Sequence, residues 1–461
     1  MRHLFALTLT AALLSGCATP PLQQASFQTP AAFSGAVTPP SSTAPAPAAA
    51  AWWLVFRDDV LNDLIARATE KNNDIKQAAA RLEQAQALLG TSRADLWPQA
   101  GVAYQPTYGA VPGQSKPSTS HAFGVELSYE VDLFGRLSKA AKAAQFDEQA
   151  SAGLLQDTQL LVQSRVAESY FALRALDEDR AIVADTLDAY RGSLTVTQHR
   201  FQEGDVAELD VARLQTAVAS TQAEGLALDQ QRANLAHALA VLTGEPAGGF
   251  DIVATAWAAQ PWAGSVPAIP AGIPADVLKR RPDVTAAEAS LYAAQRRVGI
   301  AKAAWLPHLS LTADGGYASP DMGALFDQGS QAWSLTGILA QAIFDGGRRR
   351  AGIDYAKGGL DSAFAGYQQS VLVALADVED QLSDIAFLQQ QQGAEDQAVQ
   401  AAVRALAMSQ SRYTNGSSSQ LEVLDAQRQL LAVRRQALRV RAAQYQSTVG
   451  LIRAIGGNWD S

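Results

Sequence analysis

SRYTNGSSSQLEVLDAQRQL, Ser411–Leu430, repeats an earlier stretch of the same chain, HRFQEGDVAELDVARLQTAV, His199–Val218. Arg412 answers to Arg200, Tyr413 to Phe201, Gly416 to Gly204, Leu421-Glu422-Val423 to Leu209-Asp210-Val211 and Gln427 to Gln215, a displacement of 212 positions. The same displacement carries Gly135-Arg136 onto Gly347-Arg348 and Gly244 onto Gly456. A repeat of this extent outranks local propensity as a guide to fold. A chain of 461 residues, which by length alone suggests two or three domains, therefore reads as one duplicated architecture.

From Leu137 to Phe201 the chain has no proline, and at 1.5 Å per residue a helix of that extent reaches roughly 100 Å. Arg348 to Tyr413 predicts its counterpart, and neither fits a compact domain. Shorter helices, Asp205–Leu242 and Ser419–Ile455, return after the glycine turns and stop at Gly244 and Gly456, where a C-terminal glycine is expected. On the first of these, Leu209, Ala212, Thr216, Ala219, Ala223 and Leu226 form one seam, and Leu214, Val218, Thr221, Leu228, Leu235, Leu239 and Leu242 form another. Two seams imply neighbours on both sides, as in a ring of coiled coils, whereas an ordinary two-helix arm needs only one.

The period changes to two in AFGVELSYEVDLF, Ala122–Phe134. Phe123, Val125, Leu127, Tyr129, Val131 and Leu133 share one face, and Glu126, Glu130 and Asp132 the other. Gln99–Tyr108 alternates less cleanly. The second half supplies HLSLTADGGY from His308 and QAWSLTGILAQAIF from Gln331, so each half holds one hairpin, with strands at 99–109 and 121–134, then 308–318 and 331–344. An apolar face opposed by carboxylates suits a transmembrane barrel strand with lipid outside and water inside. A soluble sandwich with one wet face alternates in the same way. Closing a barrel takes about eight strands or more, so several chains have to share one.

MRHLFALTLTAALLSGC has a cationic start, a short apolar run and small residues before Cys17, the pattern of a secretory signal too short to span as a helix. Residues 17–51, rich in Pro, Ala, Ser and Thr, read as an extended tether. The run from Trp52 to Leu89 opens on an aromatic cluster and continues helically until Pro98 stops it. The division is thus 1–16 signal peptide, 17–51 tether, 52–245 first repeat, 246–274 irregular connector, 275–457 second repeat and 458–461 tail.

Cys17 is the only cysteine, which excludes a disulfide framework or a cysteine metal site. With a net charge of −9 and no basic face, nucleic acid is not an expected partner. The five histidines are scattered, and neither a phosphate loop nor a nucleophile elbow is present, so no catalytic site, metal or cofactor is expected.

LSGC, Leu14–Cys17, resembles the bacterial lipobox, which implies lipidation of Cys17; Ala18 in place of aspartate favours outer-membrane sorting. Trp52-Trp53 with Phe56, KNNDIKQAAARLEQA from Lys71, DLFGR from Asp132, LKRRPDVTAAEASL from Leu278, FDGGRRR from Phe344 and the Tyr413–Gln427 motif together resemble the outer membrane efflux proteins, the TolC-like channels, in their lipid-anchored branch. The resemblance implies a homotrimer, mixed α and β. Four strands per chain would form a twelve-stranded outer-membrane barrel, continued by a long periplasmic helical barrel. It implies a periplasmic adaptor and an inner-membrane transporter of the resistance-nodulation-division type as partners, with drugs, metals or secreted proteins all conducted by ducts of this kind.

Gly204 and Gly416 then mark periplasmic tips that meet the adaptor, with Arg213 beside them. Leu421, Asp425 and Arg428, on one helical face, match the closed aperture: three leucines form an apolar constriction and three aspartates a carboxylate ring. A solvated Asp425–Arg428 pair is the plainer alternative. Glu126, Glu130 and Asp132 are expected to line the barrel lumen, and Arg213 and Asp425 to approach one another between neighbouring tips. A pore-less coiled-coil lipoprotein is the competing function.

Overall fold

The computed structural model describes residues 30–34, 51–110, 117–260, 262–272 and 274–459. In chain order it contains α1 (Asp59–Lys71), α2 (Asn73–Ala94), β1 (Gln99–Gly109), β2 (Ser118–Val131), α3 (Arg136–Gln202), α4 (Glu208–Leu242), α5 (Pro274–Arg280), α6 (Pro282–Ala303), β3 (His308–Ser319), β4 (Gln331–Ala340), α7 (Arg348–Thr414) and α8 (Gln420–Ala454). Two units divide these elements. One comprises 80–153 and 285–370, the other the described parts of 28–79, 154–284 and 371–461.

Element ends keep the repeat. α3 and α7 both have 67 residues, α4 and α8 both 35, each pair displaced by 212. Before the strand hairpins the displacement is 209, as from Ala94 to Ala303 and from Gln99 to His308. The difference of three matches the loops: eleven residues separate β3 from β4, and eight separate β1 from β2.

Four helices end in the same local device. At Gly204, Gly244, Gly416 and Gly456 the backbone turns left-handed, with φ of 83°, 71°, 71° and 90°. The amide after each glycine donates to a carbonyl five residues back: Asp205 to Arg200 at 2.8 Å, Glu245 to Ala240 at 2.8 Å, Ser417 to Arg412 at 2.8 Å and Gly457 to Ile452 at 2.8 Å. These paired bonds satisfy carbonyls that the last helical turn leaves open, and the conformation they need is one glycine adopts without a Cβ penalty.

The expected single helix from Trp52 to Leu89 is broken at Asn72, whose backbone is extended. Its Oδ1 accepts from the Asp74 and Ile75 amides at 2.8 and 3.2 Å, capping α2, while its Nδ2 donates to the Leu242 carbonyl at 2.9 Å, closing the end of α4. One amide side chain thus serves two helix ends, a better use than continuing a helix that asparagine supports poorly.

The core of the second unit gathers Trp52, Phe56, Leu61, Leu64, Ile65, Tyr170, Phe171 and Tyr445. The connector, irregular in backbone, sends Trp257 and Trp262 into it, both buried. Buried polar groups hold it there. Asp58 Oδ2 accepts from the Tyr170 hydroxyl at 2.5 Å and the Trp262 indole at 2.8 Å. Asp177 receives Arg174 at 3.1 Å and Arg232 at 2.6 Å, and those arginines donate onward to the Val253 and Ile252 carbonyls at 2.7 and 2.5 Å.

On α4 the second of the two seams is the one covered within the chain, with Leu214, Thr221, Leu228 and Leu239 buried. The first, Leu209 through Leu226, is exposed along its whole length. A narrow apolar seam left in water is what a second helix from elsewhere covers.

Candidate conduction surface and gate

The four strands form one antiparallel sheet in the order β1-β2-β3-β4. Register decides the faces. Val125 stands opposite Val102 and Gly315, Leu127 opposite Ala100 and Ala313, and Ala313 opposite Leu335. Following these partners, one face carries Val102, Tyr104, Tyr108, Phe123, Val125, Leu127, Tyr129, Leu309, Leu311, Tyr317, Trp333, Leu335 and Leu339. The other carries Gln105, Thr107, Glu126, Ser128, Glu130, Thr312, Asp314, Ser334 and Thr336, with Ala103, Ala122, Gly124, Gly316, Ala318 and Ala332 between them.

The apolar face is exposed: Val102 is 68% accessible, Tyr108 74%, Trp333 84% and Leu335 73%. A contiguous apolar surface of this size is not left in water. Among the described residues β1 and β4 each have only one strand partner, so each offers a row of open backbone groups. Lipid tolerates no such edge.

Close backbone approach shapes the polar face. Gly124 and Gly316 are direct partners across β2 and β3. A Cβ on Gly316 would lie 2.5 Å from the Gly124 Cα and closer still to the Phe123 carbonyl oxygen, and one on Gly124 would lie 2.9 Å from the Gly315 oxygen. Only glycine fits at both positions.

The three acidic residues expected on this face separate. Glu126 lies on it, opposite Gly101 and Asp314. Glu130 also lies on it, in a two-pronged pair with Arg136 at 3.1 and 2.7 Å. Asp132 does not: β2 ends at Val131, three residues short of the expected end, and Asp132 turns to cap α3. Its carboxylate accepts from the Leu137 amide at 3.0 Å, the Ser138 amide at 2.8 Å and the Ser138 hydroxyl at 2.5 Å. Open amides at a helix start outbid a further strand pair.

Burial works to raise the Asp132 carboxyl, and the bonds from Ser138, Leu137 and Arg136 outweigh it, so the group sits below its ordinary value. A carboxyl depressed in the folded chain contributes stability fully present above its ordinary value of 3.8 and lost as pH falls further. Asp132→Ala is expected to cost about 1 kcal/mol at neutral pH, seen as a lower thermal midpoint of the detergent-solubilised protein. β4 likewise ends early, at Ala340, leaving Ile343 and Phe344 off the ladder and almost fully exposed.

At the helix tips Leu421, Asp425 and Arg428 share the exposed side of α8, whereas Val423, Leu424 and Gln427 between them are buried. Leu424 packs with Tyr190, Leu214 and Ala217, which orients the other three outward. Asp425 and Arg428 are 3.9 Å apart and half exposed, a weak pair. Within the chain Arg213 meets Asp210 at 3.5 Å rather than Asp425. Gly204 and Gly416 form the turns themselves, with open space around both.

A contact that the repeat hinted at without revealing joins the two tips. Arg200 donates to the Tyr413 hydroxyl at 2.8 Å, with its guanidinium 5.6 Å from the ring centre. Their repeat partners do otherwise: Arg412 pairs with Glu422 at 3.5 Å and Phe201 has no hydroxyl. Cys17 lies outside the described residues.

The chain matches the family profile described as outer membrane efflux protein over residues 64–245 and 273–457. It is 32% identical over 477 residues to the probable efflux pump outer membrane protein TtgC of Pseudomonas putida, covering 99% of this chain and 96% of that one. It is also 32% identical over 471 residues to the pyoverdine export outer membrane protein OpmQ of the same species, covering 100% and 98%. Among solved structures it resembles the outer-membrane channel OprN, with a TM-score of 0.86 at 27% identity over 96% of this chain and 99% of that one. A profile match spanning both halves and relatives matched from end to end make this chain a member of the outer membrane efflux protein family.

Proposed function

We propose that this protein, a channel and not an enzyme, is the outer-membrane exit duct of a tripartite efflux system. It passively conducts small molecules handed to it by a periplasmic adaptor and an inner-membrane transporter. The observation that carries the reading is the four-stranded sheet, with one exposed apolar face, one polar face and two open edges. Three copies would join edge to edge into a twelve-stranded barrel, the apolar face toward lipid and the polar face around water. The exposed seam of α4 supports a second shared surface, between helices of neighbouring copies. A lipid on Cys17 would add an anchor, and the relatives named for efflux pumps and for pyoverdine export point to small organic molecules as cargo.

The gate is assigned to the tips. Three copies of Leu421 would narrow the passage and three of Asp425 would ring it with carboxylates, while Arg200 and Tyr413 tie the hairpins of each copy together. Purified protein in planar bilayers tests this. Asp425→Ala and Arg200→Ala are each expected to raise single-channel conductance above that of the unaltered protein. Unchanged conductance and drug permeability in both variants would sink the gate assignment. A wild-type protein that forms no channel, with or without these changes, would favour a pore-less scaffold.

A further inference from the structure

The eleven residues between β3 and β4, Pro320 to Ser330, fold onto the apolar face of the sheet, not across its polar face. The Phe326 ring lies 5.7 Å from Phe123 and 5.4 Å from Tyr317, and the Tyr104 hydroxyl donates to the Met322 sulfur at 3.6 Å. Phe123, Tyr317 and Tyr104 all belong to the apolar face by register. Tyr104 is in turn stacked against His121, its hydroxyl 2.8 Å from the His121 Nδ1.

The segment holds its own shape. Asp321 accepts from the Gly323 amide at 3.0 Å, the Asp321 amide donates to the Ser319 hydroxyl at 3.1 Å, and Ser330 donates to the Ala324 carbonyl at 2.7 Å. Within it Leu325 is buried, at 1% exposure. Met322 and Phe326, by contrast, are 55% and 64% exposed while they touch Tyr104, Phe123 and Tyr317, so they add apolar surface at the aromatic part of that face. Aromatic rims of membrane barrels sit at the level where acyl chains meet headgroups.

Resting on the barrel reading above, we propose that residues 320–330 form an outward collar whose Met322 and Phe326 contact membrane lipid. The occupant is lipid because the segment is continuous with the lipid-facing face and is held there by that face's own rings. Its consequence is a wider apolar belt on each copy at the end of the sheet bearing this loop.

Fluorescence quenching tests the collar. Phe326→Cys, Met322→Cys, Leu335→Cys and Ala103→Cys are each labelled with a small thiol-reactive fluorophore and reconstituted in phospholipid with brominated acyl chains. The wild-type chain, treated in parallel, sets the background from Cys17. Phe326 and Met322 are expected to be quenched by brominated lipid at least half as strongly as Leu335 at mid-sheet, while Ala103 on the polar face responds to aqueous iodide instead. Quenching at Leu335 but only iodide quenching at Phe326 and Met322 would overturn the collar and leave the barrel standing. Loss of lipid quenching at Leu335 itself would overturn the barrel reading and the collar with it.

Discussion

Gly316→Val is expected to abolish the heat-modifiable oligomers that a barrel of shared strands produces in outer-membrane fractions. The reason is geometric: a Cβ at this position collides with the Phe123 carbonyl and the Gly124 Cα of β2, backbone atoms that no rotamer change can move. The strands would have to separate where β2 and β3 pair, and a sheet in lipid that loses ladder bonds leaves polar groups without partners, at several kcal/mol each. Gly101→Val is the control, since it lies on the same face with nothing within 4 Å of its Cβ position, and its oligomers should assemble in normal yield. Normal oligomers from Gly316→Val would show that β2 and β3 do not approach as described.

The second large effect is expected in the helical unit. Asp177→Ala removes a carboxylate that faces both Arg174 and Arg232, with Arg174 and Asp177 each only 2% exposed in their side chains. Arg174 would lose its carboxylate in a site with little water, while Arg232 keeps the more distant, exposed Asp251 at 3.8 Å, and breaking a buried pair in this way costs about 3–5 kcal/mol. Each arginine also reaches a connector carbonyl, Val253 or Ile252, so the connector should loosen with them. The expected results are a markedly lower thermal midpoint by circular dichroism and new protease cleavage between residues 246 and 272. Asp229→Ala, which removes a half-exposed partner of Arg180, should change the midpoint little. An unshifted midpoint in Asp177→Ala would mean that the network contributes nothing to holding the connector.

The elements legible in the sequence are those whose cause is local. A glycine that must turn left-handed closes a helix whatever surrounds it, so Gly204, Gly244, Gly416 and Gly456 mark helix ends in both copies. Alternation over β2 likewise separates an apolar from a polar face before any partner strand is known. Asn72 was less legible because its side chain caps one helix while bonding the Leu242 carbonyl of another, 170 positions away. In a stretch with the composition of a loop, Trp262 enters the core because Asp58 accepts from its indole and Tyr445 donates to its carbonyl, and Trp257 packs edge-on against Trp262 and Tyr445.

By itself, then, the sequence determined the duplication, the long helices, their glycine-ended tips and the two-faced strands, since each follows from periodicity or from the conformational freedom of single residues. Only the tertiary structure decided that one α4 seam is covered and the other open, and that Arg200 grips Tyr413. Those outcomes depend on which groups the fold brings within a few ångströms, and no local pattern encodes a neighbour about two hundred residues away.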